Sequence, residues 1–485
     1  MKKFAFLLLS LTLIVSSLAG CRSQNNSDAE STTVSAETTA SPEPVCELNG
    51  VLLSDYTVVY SAEGPDYAET AAAYLTEEIE ARTGIVLPVR SDAELPASAA
   101  HEIVVGETNR PISAALDAET EGFQFATLAD GTHVAMEGDY FVIAAAAYYF
   151  VENYIGPAPF SASVPMEESI HEPIVKDPKN FIFLIGDGMG HNHTLLFNAF
   201  SAEELDVYSD GEDAFYGYMF PHIGKARTNS LSGTTDSAAS ATALSSGYKT
   251  INGYVGKDKD KNNVKSLTEL AIELGKSTAV MSTEPLYGAT PAGFSAHADS
   301  RNDQTVIEEC QQKLRSTHGT KILGNYGAVA TEYMVETRIE GDIQSTLNVL
   351  SQNEKGFFFM FEEAYFDKQS HSNLMKETFI AGVRFNQVIA SFMEFAFYHP
   401  DTFVLITADH ETGGVKRAED GSYYYTSTNH TNADVPVFAY GAGSEVFHNV
   451  TVENIQIPKT IAKMWGADLS GYEDAKYPAL IPGGK

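Results

Sequence analysis

A serine beside an acid opens the run Thr234-Thr235-Asp236-Ser237-Ala238-Ala239-Ser240-Ala241-Thr242-Ala243. Asp236 or Ser237 can cap a helix here, and the small residues that follow let such a helix pack closely. A hydroxyl at that point sits at the positive end of a helix dipole, where an attacked phosphate or a developing oxyanion is stabilised. Taken alone, the stretch is equally the cap of a buried, alanine-rich helix. Acids and histidines elsewhere in the chain change its meaning, because they stand at the ends of apolar, strand-like runs. The run 181–186 leads into Asp187-Gly188-Met189-Gly190, 357–361 into Glu362, and 401–406 into Thr407-Ala408-Asp409-His410. Asp367 and His371 are four residues apart, which on a helical turn puts both side chains on one face. Asp409 and His410 are neighbours and can converge only at a strand end or a turn. Aspartate and histidine are suitable zinc ligands, and a metal ion or a base near Ser237 would make its hydroxyl nucleophilic.

These residues need a scaffold that brings strand ends together. Strand-like runs at 181–186, 276–282, 357–361, 401–406 and Val435–Tyr440 alternate with helical stretches at 266–274, 304–314, 374–396 and 452–464. The first of these strands is continuously apolar, as expected for a central parallel strand covered on both faces. Such alternation predicts an α/β fold with a doubly wound, mostly parallel central sheet, whose strand ends point at one site. The run 276–282 leads toward Thr290-Pro291, and His430-Thr431 stands just ahead of the last strand.

From about residue 180 to 467 the chain resembles the alkaline phosphatases, which are metal-dependent phosphomonoesterases. The residues that carry the resemblance are Ile185-Gly-Asp-Gly-Met-Gly190, Thr235-Asp-Ser-Ala-Ala-Ser-Ala-Thr-Ala243, Ala289-Thr290-Pro291, Ser300-Arg301, Glu362 with Asp367-Lys-Gln-Ser-His371, Thr407-Ala-Asp-His410 and His430-Thr431. The resemblance implies Ser237 as a nucleophile that forms a phosphoseryl intermediate, and Arg301 as a bidentate clamp on small phosphomonoester substrates. It implies a first Zn2+ on Asp367, His371 and His430, and a second on Asp187, Asp409 and His410. One Mg2+ would sit on Asp187, Thr290 and Glu362, with Asp187 bridging. The chemistry agrees with this division. Two cations about 4 Å apart can serve the attacking and leaving oxygens of a phosphate ester, and an all-oxygen set suits a hard ion. Asp236 is implied to orient Arg301 or the local backbone, and Lys368 to reach phosphate through water. Gly288 falls where many members place Asp or His beside the magnesium, so the surroundings of that ion are altered. His191 and His193 read as solvated residues at a helix start, with extra ligands as the alternative.

The nearest rival reading is a phosphodiesterase or other hydrolase of the same superfamily; Ser237 together with Arg301 favours monoesters. A sulfatase would need proline and arginine just after its nucleophile, whereas Ser237 is followed by Ala-Ala-Ser-Ala. A reading of another class is a surface glycan-binding protein on a degenerate phosphatase scaffold. The complete metal-ligand set argues against it.

Acids outnumber bases 65 to 31 among the 485 residues, for a formal net charge of -34 at pH 7. This argues against nonspecific nucleic-acid binding, leaves nucleic acid out as a specific partner, and requires local positive charge wherever a phosphate is bound. Residues 1–21 carry Lys2 and Lys3, an apolar run and Leu18-Ala19-Gly20-Cys21. The last resembles a bacterial lipobox, so the expectation is a lipoprotein signal peptide with lipid on Cys21 and extracytoplasmic display on a bacterial membrane. Residues 22–44, rich in Ser, Thr and Ala, read as a disordered tether. Residues 45–175 are predicted to form a small α/β accessory domain, with strands at 56–60, 102–106, 133–137 and 140–144 and helices at Tyr67–Thr83 and 145–154. This part loosely resembles the noncatalytic α/β domain of some glycoside hydrolases, which makes glycan a candidate partner. Residues 176–485 form the predicted catalytic domain. The family resemblance implies a homodimer unless the added domain blocks that interface. Cys46 and Cys310 either pair or remain lone thiols, and the absence of a CxxC motif argues against thiolate-bound zinc.

Overall fold

The computed structural model describes residues 45–481 apart from 63–66, 96, 117–122, 139–141, 171–177, 201–213, 319–321, 324–335, 400 and 470–474. The predicted signal peptide and tether lie outside the described residues, as does the predicted boundary at 175.

The first part of the chain builds a six-stranded sheet. Its strands are β1 (Thr57–Tyr60), β2 (Val89–Ser91), β3 (Glu102–Val105), β4 (Phe123–Thr127), β5 (His133–Gly138) and β6 (Glu167–Ile170), in the spatial order β2-β1-β3-β5-β4-β6. Helices α1 (Tyr67–Thr83) and α2 (Val142–Tyr154) pack on one another and on this sheet. Ala71, Ala72, Leu75 and Ile79 of α1 form an i, i+4, i+8 stripe that joins Ile103, Val105, Phe125 and Phe150 in one apolar cluster. The strand expected at 140–144 is not formed: from Val142 the chain is helical. Four consecutive alanines after Ile143 favour helix strongly enough to outweigh the β-branched start. Cys46 is a buried free thiol in this part, and Cys310 a separate free thiol in the next, so the two do not pair.

The second sheet has eight strands. They are β7 (Asn180–Gly186), β8 (His222–Arg227), β9 (Ser277–Ser282), β10 (Ile322–Leu323), β11 (Phe357–Glu363), β12 (Thr402–Thr407), β13 (Val435–Tyr440) and β14 (Thr451–Glu453), in the order β10-β9-β11-β7-β12-β13-β8-β14. Every residue of β7, β11 and β12 is buried, the pattern of strands covered on both faces. Successive phenylalanines of β11 serve opposite faces. Phe358 meets Phe294 and Trp465, whereas Phe359 and Phe361 meet Phe392 on the long helix Met375–Tyr398. Each such ring contributes about 1.5–3 kcal/mol on burial.

One strand runs against its neighbours. β13 pairs antiparallel with both β12 and β8, so the sheet is mostly parallel. The reversal has a consequence for function: the segment that precedes β13, with His430, lies at the same edge as the segments that follow β7, β11 and β12. The predicted helix over 452–464 is shorter than expected. Thr451–Glu453 forms edge strand β14 beside β8, and the helix begins at Gln456.

Candidate active site

The register of the parallel strands fixes a row of side chains at their carboxyl ends. Ile185 lies opposite both Glu362 and Thr407, and Ser282 lies opposite Glu362. Asp187, Glu362 and Asp409 therefore emerge from adjacent strands within one row. Neighbouring strand residues point to opposite faces, and the acids of the Glu362-Glu363 pair separate accordingly. Glu363 accepts from Arg384 at 3.1 Å, while Glu362 serves the site. Gly188 follows Asp187 with φ of +76°, and a Cβ there would lie 2.8 Å from the Asp367 Cα. Both the left-handed backbone and the close approach require glycine.

Helix α3 (Ser237–Ser246) is formed by the alanine- and serine-rich run that follows Asp236. Asp236 is its N-cap: one carboxylate oxygen accepts from Ala239 N at 2.9 Å, and the other from Gly253 N at 2.9 Å and Arg301 Nη1 at 3.2 Å. Asp236 therefore orients both the backbone and Arg301, joining the two expectations for it. Ser237, the first helical residue, is buried, and its Oγ lies 3.2 Å from His410 Nε2.

Among the described residues two groups of potential metal ligands lie on this side of the site, one touching the hydroxyl through His410 and the other stacked on that histidine through His430. Asp367, His371 and His430 form one, and Asp187, Asp409 and His410 the other. Hydrogen bonds select one tautomer for all three imidazoles. Nδ1–H of His371 donates to Thr428 O at 2.6 Å, and that of His430 to Thr235 O at 2.9 Å. Thr412 donates to Asp367 Oδ1 at 2.6 Å, so its oxygen is free to accept from His410 Nδ1–H at 3.2 Å. Each Nε2 lone pair is thereby turned inward. In the first group the two facing Nε2 atoms are 3.1 Å apart and lie 3.2 and 3.4 Å from Asp367 Oδ1. In the second, His410 Nε2 is 3.1 Å from Asp409 Oδ2 and 3.6 Å from Asp187 Oδ1.

Converging lone pairs and buried oxygens call for cations. Asp187 Oδ1, Asp409 Oδ2, Thr290 Oγ1 and Glu362 Oε1 are buried without a well-formed hydrogen bond, which is costly unless an ion satisfies them. The electrostatics agree. Burial, reinforced by Asp409, Asp367 and Glu362, pushes the Asp187 carboxyl well above its usual range. Burial lifts Asp409 to about 6 and drives His410 well below the ordinary histidine value. Burial also raises Glu362, with Glu284 adding to it. For Asp367 burial acts in the same direction, but the bonds to His371 and His430 outweigh it and hold the carboxyl far down. Asp367 raises His371 in turn. The donor chemistry therefore fits divalent ions: histidine and aspartate in two groups, and oxygen alone at Asp187, Thr290 and Glu362.

All twelve residues selected from sequence, from Asp187 to His430, fall at this strand edge or on the loops and short helices beside it, Ser237, Thr290, Asp367, Lys368 and His371 being on helices. One expectation needs correction. His193 is not solvated: it is buried, accepts from Gly190 N at 3.1 Å and meets Ser370 Oγ at 3.0 Å, so it braces the loop behind Asp367. His191 is the exposed one, beside Tyr218. Lys368 pairs with a residue that sequence did not suggest, Glu284, at 2.5 Å. Thr412 was missed as well. A threonine two residues beyond His410 carries no signal in sequence that separates it from any buried hydroxyl.

Comparison with known proteins agrees with the geometry. The alkaline phosphatase family matches residues 178–330 and 334–425, which is half of the chain. Alkaline phosphatases 4 and 3 of Bacillus subtilis are each 27% identical over 296 and 298 residues, about half of this chain and 63% and 64% of their own lengths. Escherichia coli alkaline phosphatase is 25% identical over 58% of this chain and 81% of its own. The solved alkaline phosphatase of the Antarctic bacterium TAB5 superposes with a TM-score of 0.50 at 26% identity, over 61% of this chain and 99% of that one. A TAB5 variant with glutamate in place of a histidine, described with magnesium bound, gives a TM-score of 0.51 at 26% identity, over 61% of this chain and 99% of its own. The family match begins just ahead of β7 and leaves the first sheet outside it. With its motifs on one strand edge and the family matched across half its length, the chain belongs to the alkaline phosphatase family.

Proposed function

We propose that this protein hydrolyses phosphate monoesters through a phosphoserine intermediate on Ser237, at a site that takes two zinc ions and one magnesium ion. The observation that carries the reading is the pair of adjacent Asp/His groups, joined by the stacked His410 and His430 rings, with His410 in contact with the Ser237 hydroxyl at the start of α3. Asp367, His371 and His430 would hold the first zinc, Asp187, Asp409 and His410 the second, and Asp187, Thr290 and Glu362 the magnesium. The TAB5 variant with magnesium supports the third assignment by analogy. Bound divalent ions supply charge neutralisation and lower the cost of ionising oxygens at the reacting phosphorus.

The chain's own residues do the rest. Arg301, held by Asp236, presents its guanidinium to two phosphate oxygens. Ser237 gives up its hydroxyl proton as Oγ attacks phosphorus, the P–O bond to the ester oxygen breaks and that oxygen leaves as the alcohol after taking a proton from water; water then cleaves the phosphoseryl ester, releasing inorganic phosphate and restoring the hydroxyl. The N-terminus of α3 favours the negative charge that builds there. A diesterase of the same superfamily is the competing activity, and Arg301 disfavours it: of a monoester's three non-bridging oxygens two can meet the guanidinium and one remains for the metal groups, whereas a diester has only two in all.

The test compares an aryl phosphate monoester with the matching diester and sulfate on metal-loaded protein. Monoester turnover should dominate, vanish with chelator, and fall by about 10³-fold or more in Ser237→Ala. Faster diester turnover would overturn the assignment. The Leu18-Ala19-Gly20-Cys21 motif supports lipid attachment outside the cytoplasm. On that reading Cys21→Ser should move the protein from the membrane to the soluble fraction.

A further inference from the structure

Gly288 stands as the N-cap of the short helix Ala289–Ser295, which carries Thr290. Its φ is -55°, a conformation open to any residue, so backbone freedom does not explain the glycine. Space does. A Cβ at 288 would lie 1.9 Å from Glu284 Oε1 and 2.4 Å from its Cδ. The carboxylate of Glu284 thus fills the volume that a side chain at 288 would occupy.

Glu284 is built into the site on three sides. Its backbone N–H donates to Ser282 Oγ at 2.9 Å, and the same hydroxyl donates to Glu362 Oε2. Its Oε2 takes the Lys368 ammonium at 2.5 Å. Its side chain is 14% exposed, against 40% for Lys368. Next to it, Glu362 Oε1 and Thr290 Oγ1 lack well-formed hydrogen bonds. Ser282 joins the Glu284 backbone to the Glu362 carboxylate, and the two acids, beside orphaned oxygens, form an acidic cradle that a single lysine compensates only in part.

We infer that Glu284 is a positioning residue for the third divalent ion: it supplies, from the turn after β9, the acidic group that Gly288 cannot, and it ties that ion's surroundings to Lys368. The inference rests on the third site of the proposed function. It makes Gly288 and Glu284 a matched pair, and it gives Lys368 a fixed counterion at the site rather than a free ammonium over it.

The test is a calorimetric titration of zinc-loaded full-length protein with Mg2+, with zinc content and melting temperature measured alongside. Glu284→Gln keeps the shape and removes the charge. It should weaken Mg2+ binding by about 10-fold or more, the usual effect of losing an outer-shell partner, with zinc content unchanged. Glu284→Asp, which keeps the charge, should recover part of that loss. Unchanged Mg2+ affinity in Glu284→Gln overturns the inference. Equal losses of affinity and melting temperature in the Gln and Asp variants also overturn it, because packing alone would then be the role. If the zinc-loaded wild type turns over monoester but binds no Mg2+, this inference and the third site fall together while the two-zinc reading stands. If the wild type turns over no monoester yet binds Mg2+ in a Glu284-dependent way, the proposed reaction falls and the inference stands.

Discussion

Among single residues, Thr412 does more than its position in the chain suggests. One hydroxyl donates to Asp367 Oδ1 and accepts from His410 Nδ1, so it links a ligand of the first group to a ligand of the second. Thr412→Val keeps the shape and removes both bonds. His410 would lose the partner that fixes its tautomer, and Asp367 would lose a donor to its charge. We expect zinc affinity to fall by about 10–100-fold, read by competition with a chromogenic chelator, and Thr412→Ser to restore most of it. The potential metal ligands themselves were legible in sequence, because aspartate and histidine stand at the ends of strand-like runs within the motifs that carry the family resemblance. Thr412 and Glu284 were not. Their roles rest on contacts across 45 and 84 positions of chain, and neither residue type is distinctive. Gly288 did signal an altered surround for the proposed third ion, but only the fold shows that Glu284 occupies the space.

At the scale of elements, the site depends on how closely α3 can approach the helix Ala289–Ser295. A Cβ added at Gly293 would fall 2.6 Å from the Ala241 Cβ and 3.0 Å from the Ala241 carbonyl carbon. Gly293→Ala must therefore push the helices apart, against the usual small stabilisation expected of alanine in a helix. Destabilisation of about 1–3 kcal/mol is expected, read as a lowered denaturant midpoint, with turnover reduced because Ser237 and Thr290 sit on the two displaced helices. A neutral or stabilising result would show that the helix pair yields without cost. The strands that bear ligands were readable from sequence, since strands covered on both faces form continuous apolar runs. The direction of β13 was not. Its composition is the same whichever way it runs, and only pairing with β12 and β8 reveals the reversal that brings His430 to the shared edge.

Across the whole molecule, a chain with a formal charge of -34 gathers its acids and histidines where a cation must answer them, so metal, proton and stability are linked. Asp409 illustrates the sign. Its carboxyl is lifted by burial from 3.8 to about 6. A group raised in the folded state contributes stability below its unfolded value and loses that contribution as pH rises through the folded one. Between about pH 4 and pH 6 the metal-free fold therefore loses the contribution of Asp409 as pH increases. Asp187 and Glu362, raised by burial in the same way, extend the loss upward in pH. His371 and His430 are also raised and lose their contribution as they deprotonate. His410 and His193 act oppositely. Burial holds both below the ordinary histidine value, so their contribution is present above about 6.5 and declines as pH falls below it. A divalent ion must displace the protons held by the raised groups, and it satisfies the lone pairs of the histidines. Its stabilisation should therefore increase with pH. The expected outcome is a zinc-induced rise in melting temperature that is small at pH 5 and much larger at pH 8. Calorimetry in buffers of different ionisation enthalpy should show more protons released per zinc at pH 6 than at pH 8. A stabilisation independent of pH would mean that the acids and histidines at the strand edge are not the groups that hold the ion.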